Sequence, residues 1–250
     1  MTRFKDRLTA DARLRGLWQS LATPYTAEIC ARAGFDWLLF DGEHAPNSVP
    51  LLLAQLQAVA PFNVTPIART PDHNPALIKQ YLDIGFLNLL IPMVESAAQA
   101  ADIVAATRFP PRGIRGVASA VSRASGFGAQ ADYLTTAHDM ITVMVQIESR
   151  AGLAAIDEIA ATPGVDALFI GPADLAASLG HLGNPRHADV QNAIKLALQR
   201  TRQAGKPAGI FALSAEDAKD RFAQGFNFVS LGTDLGLLAA GAKNLLAQIN

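Results

Sequence analysis

The chain has 250 residues, half of them apolar, and a formal net charge of −1 at pH 7. This length and composition fit one large domain or two small ones with a substantial core, and they exclude a disordered tail. No domain boundary is visible in the sequence, so a single domain, residues 1–250, is expected. A charge this close to neutral, without any block of Lys and Arg, argues against a nucleic-acid partner.

The apolar segments also bear on location and redox chemistry. The first twenty residues scatter charges of both signs where a signal peptide would need an apolar region. The longest apolar runs, such as residues 86–94, have the length of a strand and fall well short of the roughly 20 residues that cross a bilayer. We therefore expect a cytoplasmic protein without a membrane partner. Cys30 is the single cysteine, so an internal disulfide is excluded and a packed thiol is expected.

Strand-type apolar runs alternate with segments of helical period along the whole chain. Several of the helical segments end in a glycine directly before the next strand, as expected of a left-handed helix cap; these are Gly34, Gly85, Gly164, Gly205 and Gly225. Eight strands are predicted in chain order, at residues 14–20, 35–41, 64–70, 86–94, 141–149, 165–171, 207–213 and 226–232.

Eight strand-helix units in a chain of this length predict a closed (β/α)8 TIM barrel, an α/β fold whose parallel strands are buried by outer helices. An open, doubly wound sheet is the alternative, but no glycine-rich dinucleotide motif follows the first strand.

One connection, residues 108–130, is unusually long and rich in Gly, Arg and Ser, and we interpret it as a lid or a subunit-contact loop. Its arginines 108, 112, 115 and 123 could form an anion site. Loop packing or subunit contacts are favoured, because no phosphate-binding glycine pattern accompanies them.

Catalytic groups of such barrels lie where strands end and βα loops begin. The predicted strand ends carry Asp41, Glu43, His44, Arg69, Gln146, Glu148 and, just after the sixth strand, Asp174.

Two of these carboxylates predict a metal site. Glu148 and Asp174 lie 26 positions apart, the length of one βα repeat, so they should be neighbours at one height on adjacent strands. Adjacent carboxylates repel unless a cation lies between them, and oxygen ligands favour Mg²⁺ or Mn²⁺ over structural zinc. The alternative is that Glu148 bonds a nearby arginine and Asp174 caps the next helix.

The remaining strand-end groups suggest substrate binding and proton transfer. The forked guanidinium of Arg69 suits a carboxylate or an enolate, although it could equally be a structural partner of Glu43 or Asp41. His44 follows Asp41 by three positions, which would let Asp41 orient the imidazole as a general base. The other histidines are weaker candidates for a catalytic role. His73 and His181 are expected at the border of the pocket, and His138 and His187 at exposed helix ends.

Five motifs in this order resemble the 4-hydroxy-2-oxoheptanedioate aldolase family of metal-dependent, class II pyruvate aldolases. They are FDWLLFDGEHAPN (35–47), PIART (66–70), RFPPRGIRGVASAVSRAS (108–125), VQIES (145–149) and FIGPADLAASLGHLGNP (169–185). The resemblance covers essentially the whole chain. It implies a barrel of the phosphoenolpyruvate/pyruvate superfamily that reversibly cleaves 4-hydroxy-2-oxo acids to pyruvate, or a related 2-oxo acid such as hydroxypyruvate, and an aldehyde. It also implies a homohexamer, a trimer of dimers with exchanged final helices.

By position, the resemblance implies roles for the strand-end residues. Glu148 and Asp174 match the ligands of a divalent ion, Mg²⁺, Mn²⁺ or Co²⁺. Arg69 matches the arginine that binds the pyruvate oxygen and stabilises the enolate. His44 with Asp41 matches a dyad that moves protons through a metal-associated water.

The resemblance also implies the residues around the substrate. Gln146 matches a glutamine that contacts pyruvate, and the backbone at Ala173 and Asp174 matches amides that hold its carboxylate at a helix start. Asp83 resembles a residue that reaches a neighbouring subunit's site. Ala212 and Leu213 are candidates for the aldehyde-side wall.

Three other functions are considered. A Schiff-base aldolase would need a lysine at a strand end, and none is predicted there. A citryl-CoA or malyl-CoA lyase-like enzyme would need a nucleotide site, for which the arginines of residues 108–123 are the only obvious basic group. A non-catalytic barrel that binds oxo acids is the third possibility.

Overall fold

The strands form a closed parallel barrel in which each strand pairs with the next and the last pairs with the first. The computed structural model describes residues 3–249. All eight predicted strands are present, each end within three residues of its predicted place, and the TIM-barrel prediction is confirmed. The strands are β1 (Leu14–Gln19), β2 (Trp37–Asp41), β3 (Thr65–Arg69), β4 (Asn88–Ile91), β5 (Thr142–Ile147), β6 (Ala167–Ile170), β7 (Ala208–Phe211) and β8 (Phe228–Thr233).

Helices surround the barrel, and local capping fixes where many of them begin. Ser149, for example, begins a helix by accepting a hydrogen bond from the backbone N–H of Gly152. The five predicted cap glycines all have positive φ, from 70° to 108°, as expected. Within the described residues the helices are α1 (Phe4–Arg7), α2 (Pro24–Arg32), α3 (Val49–Val59), α4 (Pro75–Asp83), α5 (Ala97–Thr107), α6 (Tyr133–Met140), α7 (Arg150–Ala154), α8 (Ile156–Ala161), α9 (Pro172–Ser178), α10 (Ala188–Gln203), α11 (Ala215–Gln224) and α12 (Asp234–Ala247).

Aromatic side chains fill the barrel interior and close one of its ends. The rings of Trp37 and Phe228 lie 6.1 Å apart inside the barrel. A Cβ at Gly16 would overlap the Trp37 indole, so only glycine leaves room for that ring. Phe4 of α1 is 2% exposed and packs edge-on against Phe228, the first residue of β8. The amino-terminal end of the barrel is therefore plugged, which leaves the carboxyl ends of the strands for a site.

The insertion at residues 108–130 lies at the plugged end. Arg115 Nη2 is 2.7 Å from Asp83 Oδ1, and Arg123 donates to the backbone oxygen of Ile84 at 3.0 Å. Asp83 ends α4 just before β4 starts. The prediction of a lid over the chain's own strand ends is therefore wrong, because these contacts hold the loop at the opposite end of the barrel.

The arginines of this insertion divide into two groups. Arg115 and Arg123 make the loop-packing contacts just described, as favoured from the sequence. Arg108 and Arg112 line a cavity of about 160 Å³ with Phe109, Leu134 and His138.

The last helix differs from the others because its apolar side chains lie in solvent. In α12 only Asp234 is buried. The exposed leucines, between 52% and 65% accessible, are Leu235, Leu237, Leu238, Leu245 and Leu246. Among residues 3–249, none of the helices has the length and apolarity to cross a membrane.

Cys30 is buried in α2, and burial raises the pKa of its thiol. The prediction of a packed thiol is confirmed.

Candidate active site

The strand register brings the predicted site residues to the carboxyl end of the barrel. Asp41 and Arg69 are direct partners in the β2–β3 register. Ile147 pairs with Ile170 in the β5–β6 register, so Glu148, one residue later, lies beside Gly171. These positions form one rim of the barrel, as expected from the sequence.

Arg69 is held by two carboxylates. Its Nε and Nη2 lie 2.9 and 2.7 Å from the two oxygens of Asp41. Its Nη1 is 2.7 Å from Oε2 of Glu43, close enough for an ion pair although not aligned as a hydrogen bond. The Trp18 ring lies 5.1 Å below the guanidinium carbon. All three guanidinium nitrogens are therefore engaged, and the structural pairing that the sequence left open for Arg69 is present.

Asp41 is buried, but its surroundings stabilise the ionised carboxylate. Trp18 Nε1 donates to Oδ2 at 3.2 Å, and the backbone N–H groups of Glu43 and His44 donate to Oδ1 at 3.0 and 3.3 Å. Burial by itself would raise the pKa of Asp41, but the hydrogen bonds and charge of Arg69 outweigh it and hold that pKa below its usual range. Asp41 is therefore a carboxylate at neutral pH and a fixed counter-ion for Arg69.

His44 does not form the predicted dyad with Asp41. In the described part of the chain, His44 contacts Asp41 only through its backbone N–H. Its imidazole is 66% exposed, and Nε2 lies 3.7 Å from Oε2 of Glu43. Glu43 therefore links Arg69 to His44.

The sequence indicates Glu43 as a strand-end group and a possible partner of Arg69, but its place beside the His44 imidazole was missed. Burial raises the pKa of Glu43, and the neighbouring Arg69 and His44 offset that shift only in part. Its place in the DGEH stretch after β2 was the available signal.

Glu148 is a buried carboxyl group held by two donors. Oε1 accepts from the backbone N–H of Met93 at 2.9 Å, and Oε2 accepts from the Gln146 side-chain amide. Burial raises the pKa of Glu148 to about 7; the Met93 hydrogen bond opposes this shift, and the carboxylates of Asp174 and Glu43 add to it. A cation bound beside Glu148 would offset the repulsion between its carboxylate and those of Asp174 and Glu43.

Asp174 approaches Glu148 from a helix and not from a strand. It lies exposed in the first turn of α9, past the end of β6, so the two acids are not at one height on adjacent strands as predicted. Among residues 3–249, no side chain caps α9, and neither acid has an ion-pair partner. The arginine-pairing and helix-capping alternatives for these two residues are therefore not observed.

The surroundings of Glu148 fit a divalent cation. A Cβ at Gly171 would overlap Oε2 of Glu148 and lie 2.8 Å from Nε2 of Gln146, so only glycine leaves this side of the carboxylate open. Oε1 of Gln146 is buried without a hydrogen-bond partner among the described residues. Met93 has a φ of 53°, a strained conformation that aims its N–H at Glu148. Hard oxygen donors of this kind suit Mg²⁺ or Mn²⁺.

The remaining predicted residues lie in two places. Ala173 is exposed beside Asp174 in the first turn of α9. Leu213, 39% exposed, follows β7 and donates its N–H to Asp217, whereas Ala212 is buried. Asp83 lies at the plugged end against Arg115, so it is not brought together with the other site residues of the same chain.

Comparisons with known proteins show which family the chain resembles over nearly its whole length. Residues 14–240 match the family model described as HpcH/HpaI aldolase/citrate lyase. A hydroxypyruvate/pyruvate aldolase of Deinococcus radiodurans is 56% identical, over 98% of this chain and 88% of that protein. A 4-hydroxy-2-oxo-heptane-1,7-dioate aldolase of Klebsiella pneumoniae is 51% identical, over 98% and 92%. The crystal structure of an HpcH/HpaI aldolase/citrate lyase family protein from Burkholderia cenocepacia superposes with a TM-score of 0.95 at 43% identity, over 98% of both chains.

Proposed function

Because the chain belongs to the HpcH/HpaI aldolase/citrate lyase family and is a carbon–carbon lyase of the class II pyruvate aldolase type, we propose that the rim around Glu148, Asp174 and Arg69 is its active site. The substrates we propose are 4-hydroxy-2-oxo acids, cleaved reversibly to pyruvate or hydroxypyruvate and an aldehyde. The observation that carries this proposal is the buried carboxyl group of Glu148, beside which Gly171 leaves open space and near which Gln146 has a buried oxygen without a hydrogen-bond partner among the described residues.

Glu148 and Asp174 are the proposed metal ligands. The family is generally divalent-metal dependent. The space left by Gly171 and the unpaired oxygen of Gln146 support a ligand at this position. Bound there, Mg²⁺, Mn²⁺ or Co²⁺ would supply a Lewis acid that polarises the ketone of a 2-oxo acid.

Arg69 is the proposed donor to the substrate oxygen that becomes negative in the enolate. Its positive charge lowers the pKa of Glu148, which supports its closeness to the metal ligands. A donor fixed in advance is worth about 2.7–4 kcal/mol when it serves a developing oxyanion. Asp41 is a positioning residue, because it fixes two of the three guanidinium nitrogens.

His44 and Glu43 are the proposed proton-transfer pair. In the cleavage direction, the His44 imidazole accepts the proton of the 4-hydroxyl group. In the direction of aldol addition, the protonated imidazole gives this proton to the newly formed alkoxide. The 3.7 Å separation from Oε2 supports Glu43, and not Asp41, as the acid that faces the ring. Asp41 still contributes through Arg69.

Further residues are proposed to bind the carboxylate end and the aldehyde end of the substrate. The backbone amides of Ala173 and Asp174 lie in the first turn of α9, where N–H groups lack intrahelical acceptors, and they would bind the carboxylate of the 2-oxo acid. Gln146 would contact the same molecule through its unpaired oxygen. Exposed Leu213 would form part of the aldehyde-side wall.

A homo-oligomer, a hexamer by resemblance, is the proposed assembly. The exposed leucines of α12 support it, because an apolar surface of this kind gains free energy when covered. At the plugged end, Ile114, Val117, Val121 and Phe127 are also 60% exposed or more. A neighbouring subunit packed on that end would meet Asp83, which supports its proposed reach into the neighbour's site.

The acyl-CoA alternative is disfavoured by position. Its nucleotide would need the arginines of the 108–130 insertion, which lie at the end of the barrel opposite to Glu148. Within one chain they cannot hold a thioester at the proposed metal site.

The test is a retro-aldol screen of chelator-stripped protein with added Mg²⁺, Mn²⁺ or Co²⁺, over 4-hydroxy-2-oxo acids of varied tail. Exchange of pyruvate methyl protons in deuterated water is followed in parallel. We expect metal-dependent cleavage and exchange, and Arg69→Lys should keep the metal while losing turnover. Cleavage of acyl-CoA thioesters alone, a borohydride-trapped pyruvate adduct, or the absence of any exchange would each overturn the proposal.

A further inference from the structure

A second group of metal-ligating side chains lies outside the proposed active site. His181 follows α9, His187 directly precedes α10, and Asp189 lies in the first turn of α10. The two imidazole rings stack with centroids 3.6 Å apart and an interplanar angle of 15°. Oδ2 of Asp189 lies 3.0 Å from Nε2 of His181 and 3.5 Å from Nδ1 of His187.

We propose that His181, His187 and Asp189 bind a borderline divalent ion such as Zn²⁺, Ni²⁺ or Cu²⁺. Each residue offers one ligand atom, and these atoms lie within 4.8 Å of one another. Zinc bonds to imidazole nitrogen and carboxylate oxygen are about 2.0–2.2 Å long, so the side chains would rotate and the two stacked rings would tilt apart to bring all three atoms onto one ion. Two nitrogens and one oxygen, with water in the fourth position, form a usual zinc ligand set.

The donor set distinguishes this site from the one at Glu148. Imidazole nitrogens favour zinc, nickel and copper, whereas an all-oxygen site suits magnesium and manganese. All three side chains are at least partly exposed, so an ion reaches them directly from solvent. The two sites should therefore load with different metals.

The ion would tether the end of α9 to the start of α10. The backbone N–H of His181 donates to Ala176 of α9 at 2.8 Å, and α9 carries Asp174. Binding to the folded state alone would stabilise the chain. This role does not depend on the proposed aldolase reaction.

His187 already has a structural role, which the test must separate from metal binding. Its Nδ1 accepts the backbone N–H of Asp189 at 3.2 Å and so caps α10. A metal ion on either ring nitrogen would replace this hydrogen bond, because a neutral imidazole has only one nitrogen lone pair. Asparagine is an equally good cap but has no imidazole. His187→Asn therefore removes the ligand and keeps the cap.

The experiment is a Zn²⁺ titration, in competition with a chromophoric chelator, of untagged protein carrying Glu148→Gln and Asp174→Asn. We expect one ion per chain, at least about tenfold weaker binding after His187→Asn or Asp189→Asn, and no change after the control His138→Asn. Bound Co²⁺ should give the intense absorption of a tetrahedral site.

Two results would overturn this proposal: no bound Zn²⁺, or binding that His187→Asn leaves unchanged. If the Glu148/Asp174 variant does not fold, the same titration on the unsubstituted chain with saturating Mg²⁺ decides the question. Because the first titration uses a chain without the proposed catalytic ligands, its outcome is independent of the aldolase test.

Discussion

Arg69 and Asp41 form a two-point ion pair across neighbouring strands, with nitrogen-to-oxygen distances of 2.9 and 2.7 Å. Arg69 is 6% and Asp41 2% exposed, so loss of the Arg69 charge leaves Asp41 buried and uncompensated, whereas loss of the Asp41 charge leaves Arg69 with Glu43 alone. The pair therefore holds Arg69, the proposed donor to the substrate, in a fixed position on the barrel strands.

Asp41→Asn should lower kcat by about 100-fold while metal affinity stays within a few-fold. The amide keeps the shape but no longer holds the guanidinium by charge, and a displacement of about 1 Å in a catalytic group costs this much. Asp36→Asn is the matched control, because Asp36 pairs with Arg7 and Arg15 at the other end of the barrel. Steady-state kinetics and a Mn²⁺ titration measure the two effects. An unchanged kcat in Asp41→Asn would show that Asp41 is not needed to position Arg69.

Gly171→Ala should weaken Mn²⁺ binding by at least about tenfold without unfolding the barrel. The added Cβ would overlap Oε2 of Glu148 and approach Gln146, so the carboxylate has to turn away. Gly116→Ala is the control, since its Cβ would meet only the flexible side chain of Lys79. Metal titration with circular dichroism gives both readouts. Equal Mn²⁺ affinity in the two variants would contradict the proposed ligand geometry.

The metal-free chain should lose stability as the pH rises from about 4.5 to about 7. The pKa of Glu148 is about 7 in the folded chain against an ordinary value of 4.5, so in this window the folded state holds a proton that the unfolded state has lost. The free energy of unfolding therefore falls with increasing pH.

Glu148→Gln should remove the part of this dependence that comes from Glu148, while the raised pKa of Glu43 leaves a further part in place. At pH 8 the chelator-treated variant should be more stable than its parent by up to about 3 kcal/mol, and the difference should fade at pH 4.5. Urea unfolding at both pH values measures it. Parallel pH profiles for parent and variant would show that Glu148 is not destabilised by its own charge.

Leu238→Glu in α12 should dissociate the proposed oligomer into smaller species. The leucine is 62% exposed in one chain, and a charge there would be buried in an interface formed by this helix. Leu182→Glu, at an 85% exposed leucine outside α12, is the control. Sedimentation velocity distinguishes the outcomes, and an unchanged sedimentation coefficient for Leu238→Glu would exclude α12 from the interface.

The hydrophobic periodicity of the sequence was enough to predict the fold, because strands buried in a parallel barrel are short, continuous apolar segments. The errors at strand ends have local causes. The fourth strand was predicted to reach residue 94, but Pro92 has no N–H to donate and Met93 adopts a positive φ, so β4 ends at Ile91.

The lid interpretation of residues 108–130 failed for a topological reason. A segment that leads from the end of a helix to the next strand lies at the amino-terminal end of a barrel, and the order of α5 and β5 already contained this information.

Side-chain partners were harder to predict than positions. The spacing between Asp41 and His44 is compatible with contact, but the turn at Gly42 directs backbone N–H groups to Asp41 and leaves the imidazole by Glu43. Sequence cannot tell which of two acids separated by one residue faces a guanidinium; here both do. The 26-residue spacing placed Asp174 level with Glu148 on a neighbouring strand because spacing does not show where β6 stops; the helix start predicted at Ala173 and Asp174 was the better guide.

The most direct measurement is an anomalous difference map from a crystal soaked with manganese and pyruvate. We expect a manganese peak between the carboxylates of Glu148 and Asp174, with pyruvate bound at it and Arg69 beside the ketone oxygen. A map without manganese at those two acids, in a protein that cleaves its substrate in the same buffer, would contradict the proposed metal site.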